Sequence, residues 1–163
     1  MGRYRPPAPR SSPYITGAGY DALAEELQAL WKRRSGVTKA LTAAAAEGDR
    51  SENAEYIYRK KELREIDRRI RYLQKRLPDL KVVNEPPDDR ERVFFGATVT
   101  LEDDAGVQVV YRIVGADEFD PAKGWISIDS PLEAAVLGKQ SDDDFRVDTP
   151  AGVASYYIVS ISY

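Results

Sequence analysis

Residues 20–80 read YDALAEELQALWKRRSGVTKALTAAAAEGDRSENAEYIYRKKELREIDRRIRYLQKRLPDL, and this stretch decides the fold. Tyr20, Leu27, Arg34 and Leu41 recur every seven residues, and Leu23, Leu30, Val37 and Ala44 form a second series interleaved with the first at spacings of three and four. That is the a/d seam of a coiled coil. The pattern then breaks at Glu47–Glu52 and resumes with Tyr56, Leu63, Ile70 and Leu77 in one series and Ile66, Leu73 and Leu80 in the other. Arg34 and Arg59 are the only side chains that interrupt the seams, and Gly36 is a mild flaw in the first helix. Two helices of opposite direction joined by so short a connection make an antiparallel hairpin. About 30 residues per arm at ~1.5 Å per residue gives a length of roughly 45 Å. The expected seam comprises Leu23, Leu27, Leu30, Leu41, Leu63, Ile66, Ile70 and Leu73, and Thr16 suits the N-cap of the first helix.

Outward from the hairpin the chemistry changes on both sides. Met1–Pro13 (MGRYRPPAPRSSP) is rich in Pro, Arg and Ser and reads as a disordered tail over residues 1–13. Residues 14–82 then form the hairpin domain. Pro78 and Asn84–Arg90 (NEPPDDR) end the helical pattern and read as a linker. From there the period is two. Strands are expected at Val93–Leu101, Val107–Val114, Trp125–Ile128, Phe145–Val147 and Ser155–Ile161, with turns at Asp103–Gly106, Asp120–Gly124 and Pro150–Gly152 and a short helix over Pro131–Leu137. Residues 83–163 thus read as a small α+β domain on an antiparallel sheet.

Charge follows the same division. Residues 1–80 hold 17 Lys+Arg against 11 Asp+Glu, a net +6, whereas residues 81–163 hold 7 against 16, a net −9. One half is suited to approach a polyanion and the other is not. The chain has no Cys, which excludes disulfides, thiol nucleophiles and cysteine-ligated zinc, and no His, which removes the commonest general base and transition-metal ligand. No apolar run approaches the ~20 residues of a membrane span and no signal-peptide core precedes the hairpin, so a cytoplasmic protein with no membrane partner is expected.

Two patterns carry chemistry. The tip, Glu47-Gly48-Asp49-Arg50-Ser51-Glu52-Asn53, sets two carboxylates three residues apart at the end of a long thin hairpin. Asp49 and Glu52 are hard oxygen ligands suited to Mg²⁺, too few to hold the ion alone, so they would complete a site supplied by another molecule. The same pair also fits a capping-box-like start to the second helix. That helix carries Arg59, Lys60, Lys61, Arg64, Arg68, Arg69, Arg71, Lys75 and Arg76 against Glu55, Glu62, Glu65 and Asp67. Such an excess suits a phosphate backbone, although i,i+4 pairs such as Glu55–Arg59 and Glu65–Arg69 neutralise part of it.

Five separated segments now resemble a known family. They are the tip with its continuation Gly48–Tyr56, the run Lys60–Arg69, the strand Arg112-Ile113-Val114-Gly115, the segment Ile126-Ser127-Ile128-Asp129-Ser130-Pro131, and the turn Thr149-Pro150-Ala151-Gly152. In order and over about Tyr14–Tyr163, they are similar to the Gre transcript-cleavage factors, with the arginine-rich second helix nearer the GreB branch than the GreA branch. The resemblance implies a hairpin that enters the secondary channel of RNA polymerase and meets the extruded 3′ end of the nascent RNA in a backtracked complex. It implies that Asp49 and Glu52 help to hold a Mg²⁺ shared with the polymerase, that Arg59, Lys60, Lys61, Arg64, Arg68 and Arg69 face RNA or channel phosphates, and that Ser130 and Pro131 anchor an FKBP-like second domain on the polymerase. On this reading the protein, a monomer, is not itself an enzyme but stimulates the nuclease of its partner. Prolyl isomerisation is not implied, since a shared fold does not fix function. The alternatives are a channel-binding regulator that does not promote cleavage, against which the two intact acids argue, and a structural coiled-coil adaptor. The family pattern says nothing about Met1–Pro13.

Overall fold

The computed structural model describes residues 8–48 and 53–163. The described residues divide into two compact units, one formed by Tyr20–Leu80 and the other by the residues up to Gly19 together with Lys81–Tyr163. Of the expected tail over residues 1–13, the first seven lie outside the described residues. Residues 8–13 have no regular secondary structure.

The hairpin consists of α1 (Gly17–Ala45, 29 residues) and α2 (Ala54–Arg76, 23 residues), about 44 and 35 Å long at 1.5 Å per residue. Thr16 caps α1 as expected, its Oγ1 accepting a hydrogen bond from the Gly19 N–H at 3.0 Å. Leu23, Val37, Ala44, Ile66, Ile70 and Leu73 are buried, and Leu27, Leu30 and Leu63 pack half-buried against the central cluster of Val37, Ile66 and Ile70. The heptad series therefore marks the true seam. Polar ties complete it where the seam is broken. Arg34 Nε donates to Asp67 Oδ1 at 2.7 Å, Arg33 Nη2 to Glu62 Oε1 at 2.7 Å, and Arg69 makes a two-pronged contact with Glu26 at 2.7 and 2.9 Å. All three join α1 to α2, and partners early in one helix meet partners late in the other, as antiparallel arms require.

The second unit contains a five-stranded sheet built from β3 (Thr98–Asp103), β4 (Gln108–Val114), β5 (Trp125–Ser127), β6 (Asp144–Thr149) and β7 (Gly152–Ser162), in the order β5-β4-β3-β7-β6. A helix, α3 (Pro131–Val136), packs on it. Alternation along the strands places Val99, Leu101, Phe145 and Val147 inward, where they meet Val93, Ala97, Ile113, Val136 and Ile158 in one buried core. Between Thr100 and Leu101 the register against β7 slips by a residue, a bulge that bends the long strand.

Three expectations need correction. The sheet is mixed, not antiparallel, because β5 runs parallel to β4, with Arg112 opposite Trp125 and Val114 opposite Ser127. The connection from Gly115 to Gly124 contains two 3₁₀ turns, Ala116–Glu118 and Pro121–Lys123, and is long enough to carry the chain back before the strand begins. The first sheet strand begins at Thr98 rather than Val93, since Gly96 has φ +86° and Ala97 N–H closes a turn on the Phe94 carbonyl at 3.1 Å. Finally, two strands were not anticipated: β1 (Tyr14–Thr16) pairs in parallel with β2 (Lys81–Val83), so the residues entering and leaving the hairpin lie side by side.

Candidate functional site

The tip is built by Asn53. This residue is the N-cap of α2, its Oδ1 accepting from the Tyr56 N–H at 3.0 Å. Its Nδ2 donates to the Ala44 carbonyl at 2.8 Å, so one amide ties the start of α2 to the last turn of α1. The capping-box start anticipated at Asp49 and Glu52 is thereby displaced: α2 begins four residues later, on its own cap. Asp49 and Glu52 lie outside the described residues, as do Arg50 and Ser51. Among the described residues no cluster of three or more His, Cys, Asp or Glu is placed to hold a metal ion. An Asn directly before the first helical residue is itself a strong start signal, stronger here than the acids that precede it.

Along α2 the six expected phosphate-facing cations fall into two groups. Arg59 is held by Glu55 at 2.8 Å and by Glu62 at 3.1 Å, and these hydrogen-bonded carboxylates raise its pKa. Arg33 donates to the same Glu62, holding that carboxyl below its ordinary range, with Arg59 adding to the effect. Arg69 is engaged by Glu26. Lys60, Lys61, Arg64 and Arg68, by contrast, are exposed and have no ion pair among the described residues. At 100° per residue, Lys60, Lys61, Arg64, Arg68, Arg71 and Lys75 all fall on one face, about 100° wide, that begins about two turns beyond the Asn53 cap. Their separation from the seam is complete: the buried Ile66, Ile70 and Leu73 occupy the opposite side. The helix thus presents a stripe of exposed cations along one face, with Lys60 also lying over the Tyr56 ring at 5.8 Å and Arg71 donating to the Asp67 carbonyl at 3.4 Å, an arrangement suited to phosphates.

Ser130 and Pro131 stand at the start of α3. Ser130 is its N-cap, the Oγ accepting from the Glu133 N–H at 3.2 Å, and the exposed Pro131 is the first helical residue. Asp129, just before them, accepts from the Ser12 N–H at 2.8 Å. Behind them Glu133 is 3% exposed with its Oε1 lacking a hydrogen-bond partner among the described residues. Burial, and then the nearby Asp129 charge, push its carboxyl up to about 7.

One buried carboxylate escaped the sequence reading altogether. Glu118 accepts from the Gly115 N–H at 2.8 Å and from the Thr16 N–H at 3.1 Å, and also takes the Thr16 hydroxyl. It satisfies the backbone where α1 begins. A Cβ on Gly19 would fall 2.0 Å from Glu118 Oε1, and one on Gly115 would fall 2.2 Å from the Tyr14 carbonyl oxygen, so both glycines are demanded by close approach. Its bond to Gly115 is local, but nothing nearby announces its link to Thr16, which is 102 positions away.

Comparison with known proteins now adds to this geometry. Residues 13–82 match the family "Transcription elongation factor, N-terminal", and residues 87–163 match "Transcription elongation factor, GreA/GreB, C-term". The chain is 57% identical over 165 residues to transcription elongation factor GreB of Xanthomonas axonopodis pv. citri, covering 100% of this chain and 98% of the relative. It is 58% identical over 153 residues to GreB of Pasteurella multocida, covering 93% and 97%. Among solved structures, GreA factor homolog 1 of Thermus thermophilus is 27% identical and covers 94% of this chain and 100% of its own, at a TM-score of 0.43, too low a likeness of shape to build on. No described helix is long and apolar enough to cross a membrane. Matched by both family models across its two regions, the chain belongs to the GreA/GreB family of transcription elongation factors.

Proposed function

We propose that this elongation factor acts on RNA polymerase by inserting its hairpin into the secondary channel and stimulating cleavage of the extruded 3′ end of a backtracked transcript. The observation that carries this reading is the exposed cation stripe of α2, which begins about two turns beyond the Asn53 cap, on the helix that follows Asp49 and Glu52 in the sequence. A single-stranded RNA emerging at the tip would find its phosphates met in succession by Lys60, Lys61, Arg64 and Arg68, and this attraction is electrostatic and therefore weakened by salt. Arg59 and Arg69, held by carboxylates, contribute less to phosphate contact and more to holding the hairpin together.

Asp49 and Glu52 would hold Mg²⁺ jointly with ligands of the polymerase, which the chemistry of the pair fits: hard oxygen donors, too few for a self-sufficient site. The ion bound there supplies a polarised water and neutralises charge at the scissile phosphate. This chain's own contribution is to carry the two carboxylates to that place on an otherwise narrow support, and to orient the RNA by its phosphates. It is not an enzyme alone on this reading, since most of the site belongs to the polymerase. Ser130 and Pro131 serve the anchoring of the sheet unit on the rim of the channel, Pro131 by its exposure and Ser130 by fixing the start of α3.

The test adds the full-length protein and Mg²⁺ to a stalled elongation complex carrying 3′-labelled RNA. Release of short 3′ fragments is expected. Since Asn53 caps α2, Asp49→Asn and Glu52→Gln should leave folding and polymerase binding intact while cutting cleavage by about tenfold or more, with partial recovery in excess Mg²⁺. No release by the unmodified protein would overturn the reading. Amide variants that cleave normally would overturn the assignment of the two acids.

A further inference from the structure

The seam of α2 uses Tyr56, Leu63, Ile66, Ile70 and Leu73, yet two large side chains beside Tyr56 take no part in it. Ile57 is 52% exposed and Tyr58 is 59% exposed. Packing does not explain them, because the heptad places both outside the seam. The Arg59 guanidinium lies 5.6 Å from the centroid of the Tyr58 ring, and it is itself fixed there by Glu55 and Glu62. A held cation against the ring restrains the ring's motion and leaves much of its surface open. Helical side chains lean toward the helix N-terminus, and for α2 that end is the tip. Lys61, one turn on, borders Tyr58 on the same flank and opens the cation stripe.

From this we infer that Tyr58 is a stacking platform for an unpaired base of the extruded RNA, positioning the 3′ segment beside the tip. The inference rests on the proposed function and deepens it. Single-stranded nucleic acids are bound by cations that track the backbone together with aromatic faces that receive the bases, and this first stretch of α2 offers both within about two turns. An apolar protein segment could also cover Ile57 and Tyr58, but it would leave the adjoining unpaired cations without partners, whereas a single strand satisfies ring and cations together. A duplex is excluded by the chemistry, since its bases are already stacked.

The experiment uses the full chain and a backtracked elongation complex in two versions, one ending in an ordinary adenosine and one whose extruded nucleotide is abasic. Tyr58→Ala should slow cleavage of the ordinary transcript roughly tenfold and leave the abasic one unchanged, while Tyr58→Trp should retain the normal rate. A 2-aminopurine placed at the extruded position should be quenched by the unmodified protein and by Tyr58→Trp, but not by Tyr58→Ala. Equal slowing on both transcripts would overturn the platform in favour of a structural or protein-contact role. Unchanged cleavage together with unchanged quenching would also overturn it. Were the unmodified protein to cleave neither transcript, the functional reading itself would fall and the platform with it.

Discussion

In the sheet unit, Val99, Leu101, Ile113, Phe145, Val147 and Ile158 from four strands close on one another with Val136 of α3, and most are entirely buried. The hairpin buries far less: its central cluster is Val37, Ile66 and Ile70, flanked by leucines that remain half in solvent. Two helices alone share one seam, so each can bury only a narrow stripe. The hairpin makes up part of the difference with Arg34–Asp67, Arg33–Glu62 and Arg69–Glu26, which match the arms residue to residue. Solvent-exposed pairs of this kind contribute little free energy, on the order of 0–1 kcal/mol each. They contribute register, because a shifted arm would bring like charges together. The thinner core also explains where function can reside. Much of α2 owes nothing to burial, so a whole face is free for cations and for Tyr58.

The comparison is broken or sharpened most directly by matched truncations. Leu101→Ala in the sheet unit, fully buried, should cost about 3–5 kcal/mol, whereas the half-buried Leu27→Ala should cost about 1–2 kcal/mol in the hairpin. The two tryptophans separate the readings, Trp31 lying in the hairpin and Trp125 in the sheet unit. Unfolding followed by fluorescence in Trp125→Phe and Trp31→Phe backgrounds reports each unit on its own. Equal costs would show that the hairpin core is as consolidated as the sheet core.

A smaller effect should confine itself to the sheet unit. The Glu133 carboxyl is raised to about 7 in the folded protein, from an ordinary value near 4.5. Between those values the folded state holds a proton that the unfolded chain has released, so stability falls as pH rises from about 4.5 to 7. Glu133→Gln should flatten that decline and gain about 2–3 kcal/mol at pH 8. The gain should appear in the Trp125 signal and leave that of Trp31 unmoved. A decline that persists in the variant would assign it to other groups.

The smallest expected change has the opposite sign to a truncation. Gly36 sits in the interior of α1 with nothing within 4 Å of the position a Cβ would take. Gly36→Ala should stabilise the hairpin by about 0.5–1 kcal/mol, visible as a raised midpoint of the Trp31 transition. A loss of stability would show that this glycine serves a bend or a contact on the open face.

How much of this was legible depends on the range of the signal. The hairpin could be read residue by residue, since seven-residue spacing is repeated often enough to fix the buried face of each arm. Within the cation-rich helix, however, the spacing could not tell which cations are free. Arg59 has its local partner Glu55 as the i,i+4 spacing suggests, but that Arg69 is taken by Glu26 of the other arm, while Arg68 beside it has no ion pair among the described residues, shows only in the fold. The alternation of Val99 with Leu101 and of Phe145 with Val147 marked inward faces, but nothing in it distinguished a parallel from an antiparallel neighbour for Trp125–Ser127.

By itself the sequence determined the two regions, the seam, the cap at Thr16, the start of α3 at Pro131 and the family to which the chain belongs, because each rests on residues close together or on a repeated period. Tertiary structure decided what depends on partners far apart in the chain. The strands Tyr14–Thr16 and Lys81–Val83 are too short to show any period and find each other only because the hairpin returns the chain to its starting point. Glu118 is one acid among many in an acidic half, and it becomes the support of the first turn of α1 only when folding brings the Thr16 N–H and hydroxyl onto its two oxygens, beside the local Gly115 N–H. A short-range pattern constrains dihedral angles and faces; pairing across a hundred residues is settled by the burial and hydrogen bonding of the whole unit.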